Sequence, residues 1–214
     1  AIGSADPDVD VEVISLGAEF LAALGLRQVK LQLNTMGTAA DRLRYVEVLR
    51  TYLQERRADL ATEDQDKVDG HPMRVLDSKR TETRRATAEA PAIADHLSPE
   101  SQDHFERVQA GLTTAGIEYD LAPRLVRGFD YYTHTVFELH CTDLGARSAV
   151  CGGGRYDHLI RDLGGPDLGC VGFAIGVSPT LLALEQQRHP MVAPRAPVLD
   201  VFVAPVADAQ RLSA

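Results

Sequence analysis

The chain has 214 residues and a formal net charge of −9, with 31 Asp and Glu against 22 Lys and Arg. Hydrophobic residues make up 44% of it, which is enough for a folded core and argues against wholesale disorder. No apolar run approaches the roughly 18 residues of a membrane span, and no basic-then-apolar leader is present. The acidic balance gives no general attraction for nucleic acid, so any RNA contact would need a local basic surface.

The three cysteines, Cys141, Cys151 and Cys170, are an odd number without C-x-x-C spacing. This pattern argues against a disulfide framework and against a zinc site. We therefore predict no metal site in this chain and a location in the reducing cytoplasm.

The first part of the chain predicts helix, strand, helix. Asp8 and Asp10 mark the expected start of the first helix, and Gly25 marks its end. The apolar stripe of this helix is expected to comprise Val13, Phe20, Leu21 and Leu24. Residues 29–34 alternate between apolar and polar side chains, which predicts a strand with one buried face.

Residues 38–41 predict the start of the second helix. The sequence Thr-Ala-Ala-Asp is a capping-box variant, in which Asp41 takes the place of the usual Glu or Gln. The helix that follows is expected to carry its apolar residues on one side, namely Leu43, Val46, Leu49 and Leu53.

The middle of the chain carries a basic cluster made of Arg74, Lys79, Arg80, Arg84 and Arg85. Such a cluster could contact RNA phosphates without reading bases. We favour a solvated helix face, because runs of charge usually have that role. Ser98 and Pro99 then predict a helix start, with Gly116 as its end and an inward face of Phe105, Val108 and Leu112. Residues 117–121 alternate as a strand.

Residues 125–138 form the most unusual run, Leu-Val-Arg-Gly-Phe-Asp-Tyr-Tyr-Thr-His-Thr-Val-Phe-Glu. Arg127 is a permanent cation whose planar fork suits a phosphate or carboxylate, and Gly128 could kink the backbone. In a regular strand Tyr131 and Tyr132 would point to opposite faces, so that one at most would line a pocket unless the backbone kinks. By pattern alone, an edge strand with one surface arginine also fits.

Residues 143–145 form a turn, so we expect the flanking segments to form a hairpin or meander. Two glycine-rich runs follow. Three glycines in a row, at 152–154, are unfavourable in a packed strand and suit a surface where a ligand lies flat against the backbone. They do not match a phosphate-binding loop. Residues 169–176 alternate small residues, which leaves one strand face nearly bare.

Residues 125–138 resemble the histidine-specific signature of histidyl-tRNA synthetases, with Thr133 and His134 in its two variable places. Residues 73–79 (Met-Arg-Val-Leu-Asp-Ser-Lys) and 153–157 (Gly-Gly-Arg-Tyr-Asp) resemble further runs of that family. Residues 31–37 match its Leu-x-Leu-Asn-x-x-Gly, which follows the second class II motif. The resemblance implies an α+β fold: a mainly antiparallel sheet flanked by helices, the class II catalytic fold in incomplete form, with a helical insertion.

The same resemblance implies four regions. Residues 1–57 are the part of the catalytic core that follows the second class II motif, and residues 58–116 are the helical insertion. Residues 117–192 return to the catalytic core with the histidine signature and the third motif. Residues 193–214 are a linker and the first strand of an anticodon-binding domain.

The implied function is histidine–tRNA ligation, in which ATP, accompanied by Mg²⁺, activates L-histidine for transfer to its tRNA. The complete protein would be a homodimer in the cytoplasm, with no membrane partner. Arg127 would be catalytic. The resemblance also implies a set of histidine-binding residues, namely Arg127, Tyr131, Tyr132, Tyr156, Gly152, Gly153 and Gly154.

The chain departs from the family at the third motif. There the family normally reads Gly-Val/Leu-Glu/Asp-Arg, whereas this chain has Ser178 and Pro179 in the last two places. The arginine that clamps ATP is therefore replaced, which places ATP use in question. Ser178 and Pro179 still predict a helix start, as cap and first residue, followed by buried Leu181, Leu182 and Leu184.

We expect the chain alone to be inactive, because the first motif and the body of the second are also missing from it. Two alternatives belong to other classes. One is a histidine-binding regulatory subunit of ATP phosphoribosyltransferase, which Pro179 favours and the intact signature opposes. The other is a non-functional remnant of a truncated reading frame.

Overall fold

The computed structural model describes residues 1–126 and 131–192, apart from the side chains of Ala146 and Arg147. Its helices are α1 (Pro7–Ala23), α2 (Ala39–Glu55), α3 (Thr62–Gln65), α4 (Lys67–Gly70), α5 (Pro72–Leu76), α6 (Thr81–Ala86), α7 (Pro99–Thr114), α8 (Leu159–Asp162) and α9 (Val177–Gln186). Its strands are β1 (Val29–Thr35), β2 (Tyr119–Leu121), β3 (Thr133–Cys141), β4 (Ala149–Arg155) and β5 (Val171–Ile175). Short 3₁₀ turns span Arg57–Asp59, Ile93–His96, Thr142–Arg147 and Pro190–Val192. The predicted tail strand, in residues 193–214, lies outside the described residues.

Within the described residues the strands form one sheet in the order β2-β1-β3-β4-β5. β1 pairs in parallel with β2, and the β1–β3, β3–β4 and β4–β5 pairings are antiparallel. β3 and β4 form the hairpin that the turn at residues 143–145 predicted. The prediction of an α+β fold with a mainly antiparallel sheet is therefore confirmed. None of the described helices combines the length and apolar character that a bilayer crossing requires.

One face of the sheet carries the main hydrophobic core. Leu33 of β1 and Phe137 of β3 are fully buried there, against Ile14 of α1 and Leu112 of α7. α1 starts at Pro7, one residue before Asp8, where the start was predicted, and Asp6 is its N-cap. The buried face of α1 also differs from the predicted apolar stripe, because Phe20 is 46% exposed. The residues of α1 that do turn inward are Pro7, Asp10, Val13, Ile14, Gly17 and Leu21.

The opposite face of the sheet meets α2 and the helical segment that follows it. Tyr45, Leu49 and Leu53 of α2 are buried with Val136 of β3 in a second apolar cluster. Leu43, expected on the inner side, is 70% exposed. Tyr45 takes that place because a period of 3.6 residues aligns positions 45, 49 and 53 on one face. The two clusters lie on opposite faces of the sheet.

The predicted capping box at Thr38 is present and reaches beyond its own helix. The carboxylate of Asp41 accepts hydrogen bonds from the Thr38 backbone, from the Ser98 backbone at 2.7 Å and from the Ser101 hydroxyl at 2.6 Å. Burial alone would raise the pKa of Asp41, but the hydrogen bonds from Ser101, Thr38 and Ser98 outweigh it and lower the pKa. Because Ser98 is the N-cap of α7, as predicted, one carboxylate joins the starts of α2 and α7.

A second buried carboxylate, Asp64, organises the helical segment between α2 and α7. It accepts hydrogen bonds from Lys67 at 2.7 Å, Arg80 at 3.1 Å and Thr83 at 2.8 Å, and from the Ser78 hydroxyl. Burial opposes ionisation, but the hydrogen bonds from Lys67, Ser78 and Thr83 prevail and lower the pKa of Asp64 to about 2. Arg80 therefore has a structural partner.

The other members of the basic cluster are solvent-exposed, namely Arg74, Lys79, Arg84 and Arg85. This is the arrangement expected of a solvated helix face.

The glycine run 152–154 lies inside β4, paired on both sides, and not in a loop. This corrects the expectation that such a run is disfavoured in a packed strand. A Cβ atom at Gly153 would lie 2.7 Å from Cβ of Phe173 and would also meet the carbonyl oxygen of Gly172. The core-facing glycine is therefore required by the close packing of β4 against β5.

We predict that replacing Asp64 with Asn destabilises the protein in a pH-dependent manner. The folded pKa lies below the unfolded value, so the carboxylate stabilises the fold above about pH 4 and loses this contribution as pH falls toward about 2. The difference in unfolding free energy between Asp64→Asn and the parent should be about 1–3 kcal/mol at neutral pH and should shrink below about pH 4. Urea unfolding of both proteins at several pH values measures this difference in unfolding free energy. Asp59→Asn, at an exposed carboxylate, serves as control; equal pH profiles for both variants would contradict the prediction.

We also predict that Gly153→Ala is strongly destabilising, by about 3 kcal/mol, because the added methyl group meets backbone that cannot move aside. Gly70→Ala is the matched control, since nothing lies within 4 Å of a Cβ atom at Gly70. Chemical denaturation should show a large loss for the first variant and a change near zero for the second. A Gly153→Ala protein as stable as the parent would refute the packing argument.

Candidate functional site

Three tyrosines converge on the face of the sheet opposite the main core. The ring centroids of Tyr131 and Tyr132 are 4.8 Å apart, and both rings meet Tyr156 edge-on, at 6.0 Å and 6.3 Å. β3 begins only at Thr133, so the two adjacent tyrosines precede the regular strand and do not point to opposite faces of it. His134, two residues after Tyr132, has a positive φ of 43°; Gly128, where a kink was expected, lies outside the described residues. The structure thus brings the three predicted tyrosines together.

Two glycines allow these rings to lie directly on the sheet. A Cβ atom at Gly154 would be 2.9 Å from Cδ1 of Tyr132, and one at Gly172 would be 2.6 Å from the hydroxyl oxygen of Tyr156. Gly154 and Gly172 are paired across β4 and β5, so they form one floor. Gly172 was not among the predicted site residues, although the alternating small residues of 169–176 signalled a bare face. Gly153, which was predicted, faces the core instead.

The phenol of Tyr156 is partly buried among these side chains. Desolvation first, and then the neighbouring Cys170 and Tyr132, raise the pKa of Tyr156 above its usual value. A protonated phenol can both donate and accept a hydrogen bond. Tyr156 can therefore complement a ligand that offers either a donor or an acceptor.

Polar side chains continue this face beyond the glycines. Glu138 lies opposite both Gly152 and Gln32 in the sheet register, so the three residues share one face. One oxygen of Glu138 lies 2.9 Å from Nε2 of His140, and Nδ1 of His140 lies 2.8 Å from the Ser148 hydroxyl. Glu138 belongs to the signature run but was not predicted as a site residue. It adds a carboxylate beside the glycine floor.

Two further residues hold the backbone of the signature run. Nδ2 of buried Asn34 donates hydrogen bonds to the carbonyl oxygens of Pro123, at 3.3 Å, and Leu125, at 3.0 Å. Nη1 of Arg42 donates to the carbonyl oxygen of Tyr132 at 3.1 Å. The sequence could have identified Asn34, because it is the asparagine of the family run Leu-x-Leu-Asn-x-x-Gly at residues 31–37. Arg127 itself, the predicted catalytic residue, lies outside the described residues, as does Gly128.

Arg155 is fully buried beneath the site. Its Nε and Nη2 donate to the carboxylate of Asp10, with Nη2 at 2.9 Å, and Nη2 also donates to the Asp6 carbonyl at 3.2 Å. Its Nη1 donates to the Ser4 carbonyl at 2.8 Å and to Asp157 at 3.1 Å. Burial would lower the pKa of Arg155, but Asp10 and Asp157 outweigh it and raise the pKa. This guanidinium is part of the framework and not a free cation of the site.

The third-motif region starts its helix differently from the prediction. α9 begins at Val177 with Gly176 as N-cap, so Ser178 is not the cap and Pro179 is the third helical residue. Proline is tolerated there because the first N–H groups of a helix have no intrahelical acceptor. Leu184 is buried as predicted, but Leu181 and Leu182 are 47% and 57% exposed. Pro179 carries no charge that could oppose a phosphate.

No group of three or more His, Cys, Asp or Glu side chains in residues 1–126 and 131–192 could hold a metal ion.

Comparison with known proteins identifies the family. A family model described as histidyl-tRNA synthetase matches residues 1–179. The chain is 49% identical to the histidine–tRNA ligase of Synechocystis sp. over 202 residues, which are 94% of this chain and 44% of that protein. It is 48% identical to the histidine–tRNA ligase of Acaryochloris marina over 86% of this chain and 43% of that protein.

A solved structure agrees with these relatives. The apo crystal structure of Staphylococcus aureus histidyl-tRNA synthetase is 37% identical and superposes with a TM-score of 0.68, over 88% of this chain and 46% of that one. The chain thus spans less than half the length of the curated relatives it matches. From the matched signature, the shared fold and these identities, the chain belongs to the histidyl-tRNA synthetase family.

Proposed function

We propose that this chain is part of a histidine–tRNA ligase, which activates L-histidine with ATP and transfers it to its tRNA. The observation that carries the proposal is the convergence of Tyr131, Tyr132 and Tyr156 over a floor that contains Gly154 and Gly172. The relatives named histidine–tRNA ligase, at 49% identity over most of the chain, support it.

The site chemistry suits an imidazole. Neutral imidazole carries one N–H donor and one bare nitrogen acceptor, and a phenol can serve either. The flat imidazole ring could stack against the tyrosine rings, which themselves lie on the glycine floor. An amino acid without these polar atoms would leave buried groups unpaired, which is how such a site rejects it. Tyr131, Tyr132, Tyr156, Gly152 and Gly154 are histidine-binding residues in this proposal, and Gly172 completes the floor. Gly153 was expected among them from the resemblance, but it faces the core and is left out.

Arg127 is the catalytic residue in the proposal, and its support is the signature run. When the histidine carboxylate attacks the α-phosphorus of ATP and pyrophosphate leaves, negative charge builds on the α-phosphate oxygens, and a guanidinium fork stabilises that charge. The hydrogen bonds from Asn34 fix the chain up to Leu125, two residues before Arg127.

The remaining partners follow from the family. We infer that ATP arrives with Mg²⁺, that the tRNA for histidine is the second substrate, and that the complete protein is a homodimer. The three buried cysteines agree with the reducing cytoplasm as its location. Pro179 removes one cation that would oppose ATP, so we expect no ATP–pyrophosphate exchange from this chain alone.

We also propose the division of the chain that the resemblance implies. Residues 1–57 and 117–192 would be catalytic core, residues 58–116 the insertion, and residues 193–214 the linker and anticodon-domain start. The sheet and α1 support the assignment of the catalytic core. The short helices around Asp64 support the assignment of the insertion.

We predict that Tyr156→Phe weakens L-histidine binding by about tenfold, because one buried hydrogen bond is lost. Isothermal titration calorimetry with L-histidine measures the dissociation constant. Tyr119→Phe is the matched control, since Tyr119 lies on β2, away from the cluster. L-Leucine should not bind to any variant. Equal affinities for both variants, or an absence of histidine binding to the parent chain, would contradict the proposal. Histidine binding by the complete protein without adenylate formation would instead favour the regulatory-subunit alternative.

A further inference from the structure

We propose that Thr133, Asp157 and Arg155 form a positioning clamp that holds the three tyrosines in place, so that residues that do not touch the ligand help to set the affinity of the tyrosine cluster for a flat ring. The histidine part of this inference rests on the proposed function. The clamp itself rests on described contacts.

The first link in the clamp is reciprocal. The Thr133 hydroxyl donates to Oδ2 of Asp157 at 3.1 Å, and the Asp157 backbone N–H donates to the same hydroxyl oxygen at 3.2 Å. Thr133 directly follows Tyr132, and Asp157 directly follows Tyr156. One pair of hydrogen bonds therefore fixes the backbone next to two of the three rings.

The second link ties the clamp to the framework. Oδ1 of Asp157 accepts from Nη1 of Arg155 at 3.1 Å, so each carboxylate oxygen has a partner. The other Arg155 donors reach Asp10, Ser4 and Asp6. The position of Asp157, and with it Thr133, is thus set by the start of α1.

The Thr133 hydroxyl matters for the position of the tyrosines because the strand pairing beside them is irregular. The β3–β4 register is irregular between Thr133 and Val136, and His134 has a positive φ, so regular strand pairing is interrupted beside the tyrosines. The side chains of Tyr132 and Tyr156 cannot move closer to the sheet, because Gly154 and Gly172 already allow the closest approach. We expect a shift at Thr133 to move Tyr132 along the sheet surface and so to change its contacts with Tyr131 and Tyr156.

The chain offers a matched control two residues further along β3. Thr135 is also buried, at 1% exposure, but its hydroxyl has no hydrogen-bond partner among the described residues. Thr133→Val and Thr135→Val therefore remove the same atom from the same strand. Only the first substitution breaks a link in the clamp.

Fluorine NMR of the chain labelled with 3-fluorotyrosine tests the clamp directly. The chain has six tyrosines, and single Tyr→Phe substitutions assign their signals. We expect Thr133→Val to shift or broaden the signals of Tyr131, Tyr132 and Tyr156, while those of Tyr45, Tyr52 and Tyr119 stay as in the parent. Thr133→Ser, which keeps the hydroxyl, and Thr135→Val should both resemble the parent. Unchanged cluster signals in Thr133→Val, or equal changes in Thr135→Val, would overturn the clamp.

If Thr133→Val also loses the signals of the three distant tyrosines, Asp157→Asn replaces it, with the same expectation and the same overturning result. Histidine titration then separates the two proposals. Thr133→Val should weaken binding by about tenfold and Thr135→Val by less than about twofold. Equal binding by the two variants overturns the clamp. A parent that binds no histidine but shows the expected fluorine pattern overturns the proposed function and supports the clamp.

Discussion

The buried ion pair between Arg155 and Asp10 is the interaction on which the rest of this structure depends. Both side chains are withdrawn from water, and a buried charge is tolerated only when it is paired and hydrogen-bonded. Asp10 also lies 3.0 Å from Nε2 of His104, whose ring stacks on His134 at 4.4 Å. Burial, and then the charge of His104, lower the pKa of His134. One carboxylate thereby joins α1, α7, β3 and β4.

The two faces of the sheet have different functions. One face is apolar and packs on α1 and α7, which provides much of the hydrophobic stabilisation. The other carries Gln32, Glu138 and glycines, and the aromatic rings lie above it. Because side chains alternate along each strand, the same strands serve both purposes with different residues. Changes on the tyrosine face can therefore leave the main core against α1 and α7 intact, although Tyr132 also packs in the second apolar cluster.

Local sequence patterns predicted the features that arise from neighbouring residues. The capping box at Thr38, the Ser98 cap of α7 and the β3–β4 hairpin all depend on contacts within a few residues, and all are present. The exposure of Leu43 was missed because its helix has Tyr45 as an alternative apolar residue on the buried face. Periodicity alone does not choose between them.

Long-range pairing had no local signal. Arg155 and Asp10 are 145 positions apart, and the sequence around either residue does not indicate that the two side chains pair. The family resemblance supplied the tyrosines of the site but not their framework. Local patterns also gave no signal that Tyr131 and Tyr132 precede the regular strand, or that His134, a non-glycine residue, has a positive φ.

At position 179, the requirements of helix formation can be distinguished from the requirements of chemistry at the site. It sits within the first turn of α9, where its missing N–H group and fixed φ leave the helix intact. Many other residues, arginine included, would suit that helical position equally well. Folding therefore exerts little selection on the identity of residue 179, and any constraint that a lineage shows there must come from chemistry at the site and not from the need to stay folded.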